Sequence, residues 1–500
     1  MIWAACLLIS IQAKSAFVWT DNVRHAYDAI LDLRFSEGQQ WLAREKSQQT
    51  GNGLVPYVEN YIDFLTLLIG EEEAEFKVRE KHKEERLKLI EKNDDHSPWY
   101  LLSQAEMHLQ WAFARLKFKE YLTAAREIHK AYRLLQRNEE KFPGFIPNQK
   151  SLGLLHAAIG SIPEDYDWVK GLVGVEGSIH QGIQEMKGVL DAAIRDPELG
   201  YLKTETFFLL TFVQLNLELE GGHGTEDLAR YARELYPQNE ISQKPLFLYA
   251  CARIAMSEGS NEEVIRLLRM APTSSVYFPF HYLDYLLGVA LQNRLDPQCV
   301  VYLQRYVKMF KGTSYLKSAY QRMAWEYLIG GNAAAYAEAM SLVDKYGNDE
   351  IGADKQAQRA YDSKETPNVQ LLKARLLFDG GYYTRARQAL LEKGSSSVYK
   401  SREEQVEFMY RLGRIYHEGK NTEKALYYYD LTLHDGKDLP LYYAANAALQ
   451  AGLIHENAGA YDKAREYFNT CLSLKDHQYR LSLSQKAKAG LHRLDERKPE

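Results

Sequence analysis

Most of the usual signatures of chemistry are absent from this 500-residue chain. Its four cysteines, Cys6, Cys251, Cys299 and Cys471, lie far apart with no CxxC pair. The lack of a CxxC pair speaks against a zinc ribbon, the odd count of three left beyond Cys6 argues against a disulfide framework, and the thiols read as small buried apolar groups. No HExxH, GxSxG, EF-hand loop or GxxxxGK[ST] occurs, so no catalytic residue, metal site or cofactor is expected. Net charge is only −5, which leaves no basic footprint for nucleic acid. Long apolar runs are missing too, so no transmembrane segment is expected.

The one short apolar run is at the start, over residues 1–11, followed by Gln12, Ala13, Lys14 and Ser15. It suits the apolar region of a signal peptide cleaved after Ser15, although a basic leader is lacking. Export to a periplasm or cell envelope is the expectation if it is one, and a cytoplasmic location otherwise. Cys6 would leave with it.

What is present is a repeat. Ala374, Gly413 and Gly452 are equivalent at a step of 39, since 413−374 = 39 and 452−413 = 39. Ala386, Ala425 and Ala464 keep that step, as do Leu390, Tyr429 and Phe468. Each unit reads as a helix holding the small residue, a Gly-containing turn, and a second helix holding the Ala and the large side chain. Small against large is how neighbouring helices interlock, and Gly supplies the positive φ that ends the first helix.

These residues resemble the tetratricopeptide repeat: Leu412-Gly413, Tyr416, Ala425 and Tyr429 fall at its offsets, and Gly452, Gly459, Tyr461, Ala464 and Phe468 follow suit. The resemblance implies an all-α, right-handed α-solenoid of about six such helix pairs. Earlier units centre on Ala252, Gly288 and Ala324 at a step of 36. The next step, 374−324 = 50, is too long and implies an insertion at 347–367, with a polar helix near Asp354 to Tyr361. The expected organisation is a helical N-terminal region over 16–200, repeats over 201–346, the insertion, then a three-unit array and capping helix over 368–500.

Residues 151–189 are apolar, Gly-rich and broken at Pro163. Over about forty residues they resemble a segment of the tetratricopeptide-39 and yeast inclusion-body-clearance family. Gly171, Gly174 and Gly177 read as close helix packing, because no strand signal precedes them. Glu164, Asp165 and Asp167 beside Trp168 read as an acidic helix start. Residues 71–92 are almost wholly charged and read as an exposed helix with i,i+4 pairs.

In a tetratricopeptide unit the first helices line a groove. Carried over by position, the resemblance makes groove candidates of Asn368, Arg375 and Asp379, then Glu407, Tyr410, Arg414 and His417, then Asn446, Glu456 and Asn457. Further back it offers Tyr249, Arg253, Tyr282 and Tyr285. His417-Glu418 and His455-Glu456 nearly repeat, and solvated groove residues explain them better than a metal bridge. The function expected is a non-catalytic scaffold for a protein or peptide partner, with no nucleic acid and no cofactor. The alternatives are an enzyme of unrecognised class with a site near 160–177, and a cell-envelope accessory protein. Arg375 and Arg414 share one repeat position, which suggests a groove for an acidic or C-terminal-carboxylate segment.

Overall fold

The computed structural model describes the chain apart from residues 1–15, 50, 163–170, 172, 173, 175, 218–224, 393–398, 476 and 497–500. The expected signal peptide and the acidic cluster at Glu164, Asp165, Asp167 and Trp168 lie outside the described residues. Among the described residues every regular element is a helix. Contacts divide the chain into two compact units.

The first unit holds α1 (Asp21–Leu31), α2 (Phe35–Gln48), α3 (Leu54–Gly70), α4 (Glu73–Arg79), α5 (His82–Ile90), α6 (Pro98–Lys117), α7 (Tyr121–Lys141), α8 (Ile146–Gly160), α9 (Ile179–Arg195) and α10 (Lys203–Asn216). It also takes part of α11 (Thr225–Leu235), α12 (Gln238–Ile241), the start of α13 (Pro245–Ser257) and residues 271–280. Helix starts follow local chemistry: the Thr20 side chain accepts from Val23 N, and Ser97 caps α6 with Pro98 in its first turn. Gly153 and Gly182 bring α8 and α9 together so closely that a Cβ on Gly182 would lie 2.2 Å from the Gly153 carbonyl oxygen. Gly177 likewise touches His156, whereas Gly174 takes φ +63 and Gly171 faces open space.

Charge is buried in this unit. Lys150, 2 % exposed as a side chain, bonds Glu106 at 2.9 Å and also pairs with Glu205. Tyr57 and Tyr61 donate to Glu106, Tyr27 donates to Glu205 at 2.7 Å, and Ser151 donates to Glu106 at 2.7 Å. Side chains from α1, α3, α6, α8 and α10 thus meet at one point. Against the cost of burial, the Lys150 ammonium holds Glu106 below its ordinary value, while burial pushes Tyr27, Tyr57 and Tyr61 well up. Residues 71–92 differ from the exposed helix expected of them. They break into α4 and α5; the i,i+4 pairs Glu73–Lys77 and Glu75–Arg79 are present, but four bases turn to buried acids: Arg79, His82 and Arg86 surround Asp63, and Lys83 pairs with Glu127. A buried carboxylate leaves its partner no choice but to turn inward.

The second unit is a stack of tetratricopeptide-like helix pairs. It runs from the end of α13 through α14 (Asn261–Arg269), α15 (Tyr282–Asn293), α16 (Cys299–Met309), α17 (Leu316–Ile329), α18 (Ala333–Lys345), α19 (Gly352–Asp362), α20 (Val369–Asp379), α21 (Tyr383–Leu391), α22 (Arg402–Glu418), α23 (Thr422–Gly436), α24 (Tyr443–Asn457), α25 (Tyr461–Ser473) and α26 (Arg480–Glu496). The small residues do what their spacing implies. A Cβ on Gly413 would sit 2.7 Å from the Tyr429 ring, and one on Gly452 would sit 2.6 Å from the Phe468 ring. Phe468 also meets Gly490 of α26, the helix that ends the stack.

The helix α19 occupies the long step. It is not merely polar: Asp354 is fully buried and accepts from the backbone of Tyr315 and Ser318 at 2.7 and 2.8 Å. After it, α20 packs on α15 and α17. The turn before α21 returns to the turn before α14, where Tyr382 donates to Glu262 at 2.6 Å and accepts from Asn261 at 3.0 Å.

Candidate functional site

The first helices of the last pairs, α20, α22 and α24, carry most of the groove candidates. On α20, Asn368 caps the helix by accepting from Gln370 N and Leu371 N, and it donates to Glu404 at 3.1 Å. Arg375 lies over the ring of Trp325 from α17, 5.2 Å from the ring centre, with Asp379 at 3.9 Å. One repeat on, Arg414 lies over Phe378 at 4.9 Å, with Glu418 at 3.9 Å. The two arginines therefore share a position and a setting: a ring from the preceding first helix beneath, and an acid one turn on. Their side chains remain 29 % and 25 % exposed.

Several other candidates are spent inside the stack rather than offered as accessible contacts. Tyr410 is buried, and its hydroxyl accepts from Asn446 at 2.7 Å and Arg414 at 3.2 Å. Glu407 pairs with Arg411 on the next turn. Glu456 is buried against Arg493 through two bonds of 2.8 and 2.7 Å. Tyr285 is buried and shares a 2.9 Å hydrogen bond with Ser318, with Tyr282 stacked on it at 5.5 Å. Except for Glu407, whose partner is on its own helix, each has a hydrogen-bond partner on a neighbouring helix: a first helix in a stack has neighbours on both sides. His417 touches the Tyr429 hydroxyl at 3.3 Å, and burial pushes it below the ordinary histidine value. Asp379 and Asn457 are exposed. Tyr249 packs between Phe208 and Phe280 in the first unit, while Arg253 belongs to the second.

Residues outside the candidate set complete this wall. Trp325 follows Ala324 by one, the offset at which Arg375 and Arg414 follow their small residues. Tyr442 and Tyr443 pack on Tyr410, 5.7 and 5.1 Å between ring centres. Both stay partly exposed; burial pushes their phenols up, and the Arg375 and Arg411 charges oppose it. Tyr479 meets Tyr442 edge-on at 5.4 Å, and Arg359 of α19 lies over the Tyr479 ring at 5.8 Å. The result is a strip of rings and guanidinium groups with paired charges. The three described thiols are buried; burial pushes Cys251 up to about 12 and Cys471 up to about 11, and Cys299 up as well. A cluster of Asp94, Asp95 and His96 at the surface has metal-ligand spacing but nothing further to mark it as a site.

No family model matches the chain, and no curated protein does. Among solved structures it is similar to the APC/C hetero-tetramer Cut9–Hcn1, at 13 % identity and TM-score 0.29, over 95 % of this chain and 93 % of that one. It is also similar to a monomeric IFIT1 mutant with Gppp-AAAA, at 13 % identity and TM-score 0.33, over 91 % and 96 %. A third is Naa15/Naa10 bound to HypK-THB, at 13 % identity and TM-score 0.23, over 94 % and 66 %. At these scores the likenesses carry no argument here; the helix pairs of this chain do.

Proposed function

We propose that the chain is a non-catalytic scaffold whose second unit holds a peptide or protein partner against α20, α22 and α24. The observation that supports this is the repeated setting of Arg375 and Arg414. Each is positioned by a ring beneath it, and each has a carboxylate no nearer than 3.9 Å. A guanidinium so placed is already ordered and still has donors free for a partner carboxylate. Tyr442 and Tyr443 beside them supply amphipathic contact area.

The test is the double change Arg375→Ala/Arg414→Ala. Capture of specific partners from a native lysate should be lost, while stability falls by only about 1–2 kcal/mol, the worth of two ring–cation contacts. Persistent capture with a sharp fall in melting temperature would make the arginines structural and remove the groove from the proposal.

A further inference from the structure

On the other side of these pairs a second motif repeats. In the pair α22/α23, Tyr416 and Tyr428 stack with ring centres 5.6 Å apart and planes 4° from parallel. One repeat later His455 and Tyr467 stack in the pair α24/α25, at 5.3 Å and 14°. The positions correspond: 455−416 = 39 and 467−428 = 39. One repeat earlier, in α20/α21, the same positions hold Leu377 and Ala389, since 416−377 = 39 and 428−389 = 39. The ring pair is missing there, and a cleft of about 730 Å³ is present, lined by both residues. At the His455 and Tyr467 pair, with α23 alongside, the corresponding space is about 330 Å³.

The cleft has an apolar lining and a basic rim. Leu295, Leu377, Ala389 and Tyr416 line it, and Leu391 beside them is 46 % exposed. Lys373 also lines it, at a position filled by buried Leu412 and Ala451 in the next two repeats. Arg385 and Arg387 add two more cations, against the single acid Glu392. The Lys373 charge bears on Glu326, and Arg387 is exposed. This face is separate from the Arg375 strip, because a helix residue two positions along is turned about 200°.

We propose that the cleft at Leu377 and Ala389 docks a partner segment carrying an aromatic side chain flanked by acidic residues. The ring takes the space that Tyr428 and Tyr467 fill in the other pairs, and the acids meet Lys373, Arg385 and Arg387. An aromatic anchor in a pocket with complementary charge at its edge is the usual economy of peptide recognition.

A phage-displayed random 12-residue library panned on the whole chain tests this, with the best-enriched peptide synthesised as the probe. Enriched sequences should pair an aromatic residue with neighbouring Asp or Glu. Probe affinity should fall at least ten-fold for Ala389→Tyr, which supplies the missing ring, and for Lys373→Glu/Arg387→Glu. It should be unchanged for Arg375→Ala/Arg414→Ala, so failure here is distinguishable from failure of the groove. No enrichment, enrichment without that pattern, or binding that survives Ala389→Tyr overturns the proposal. So does binding lost only in the Arg375/Arg414 variant. If Ala389→Tyr does not fold, the charge-reversal variant decides alone.

Discussion

Gly259 and Gly381 meet backbone to backbone: a Cβ built on Gly381 would lie 2.0 Å from the Gly259 carbonyl oxygen. Both take positive φ, +68 and +77. One ends the first helix of a pair near the beginning of the second unit, and the other ends a first helix more than a hundred residues later. This contact, with Tyr382 on Glu262 and Asn261, seats the final array after the insertion.

Gly381→Ala should therefore cost about 2–4 kcal/mol, combining left-handed strain with steric overlap. Gly331 has the same φ of +77 with nothing within 4 Å of its would-be Cβ. Gly331→Ala should cost only about 1–2 kcal/mol. Denaturant titrations of the two variants check the difference; equal losses would mean that the Gly259 contact is absent.

Lys150→Met should be severe, about 3–5 kcal/mol, because it strands the Glu106 and Glu205 carboxylates without their cation. The triple change Lys150→Met/Glu106→Gln/Glu205→Gln should recover much of that loss. Thermal unfolding followed by near-ultraviolet circular dichroism, which reports the tyrosines, measures both. A triple variant no better than the single one would contradict the buried network.

Acid should loosen the first unit through Glu127. Burial works against its charge, but His108 and Lys83 hold it down to about 2, and Arg115 stands 4.0 Å away. Burial also depresses His108, so at neutral pH the imidazole is neutral and donates its Nδ1 proton to Glu127. Both folded values lie below the unfolded ones. The stability they contribute is present above the unfolded values and is lost as pH falls through 4.5 toward 2 for Glu127, and from 6.5 downward for His108. The Glu127 part is on the order of 3 kcal/mol. In Glu127→Gln, stability measured from pH 7 to 3 should fall less steeply than in the parent chain.

The repeat core gives a simpler comparison. Ala425 is fully buried between α22 and α23, so Ala425→Leu should cost roughly 1–3 kcal/mol. Lys437 is exposed, and Lys437→Leu should lie within about 0.5 kcal/mol of the parent. Urea midpoints check it.

If residues 1–15 are an export signal, the native protein begins at Ala16 and fractionates with the envelope. Amino-terminal sequencing checks this; an intact Met1 in a cytosolic fraction removes the proposal of export.

The helix pairs were legible because interlocking needs a small residue opposite a large one, and both recur at one spacing. Gly413 with Tyr429 and Gly452 with Phe468 are that rule in space. The wall of first helices was legible by position, but not which of its residues face water. Tyr410, three before Gly413, and Glu456, four after Gly452, are groove positions by the same rule that gives Arg414, yet Asn446 and Arg493 consume them. Trp325 follows Ala324 at the offset by which Arg414 follows Gly413, so its place on the wall was legible too. The Lys150 network was not legible, since its members come from five helices, and Lys150, Glu106 and Glu205 each look like an ordinary surface charge in their own stretch. The closing of α20 onto the earlier turn was hidden for another reason: backbone atoms make that contact, and no side-chain pattern records it.

The first unit joins its beginning to residues made much later. Arg24 reaches Glu198, Tyr27 reaches Glu205, Asp32 meets Lys244, and the Leu33 carbonyl accepts from Phe278 N at 2.7 Å. During synthesis, α1 must wait for all of these partners to emerge before its contacts are complete. The second unit's later pairs can add one at a time, each on the pair before it. A ribosome-bound chain ending before residue 278 should thus hold an opening helix that is still searching, exposed to proteases and chaperones. From the α20/α21 pair onward the chain can fold nearly as fast as it is made.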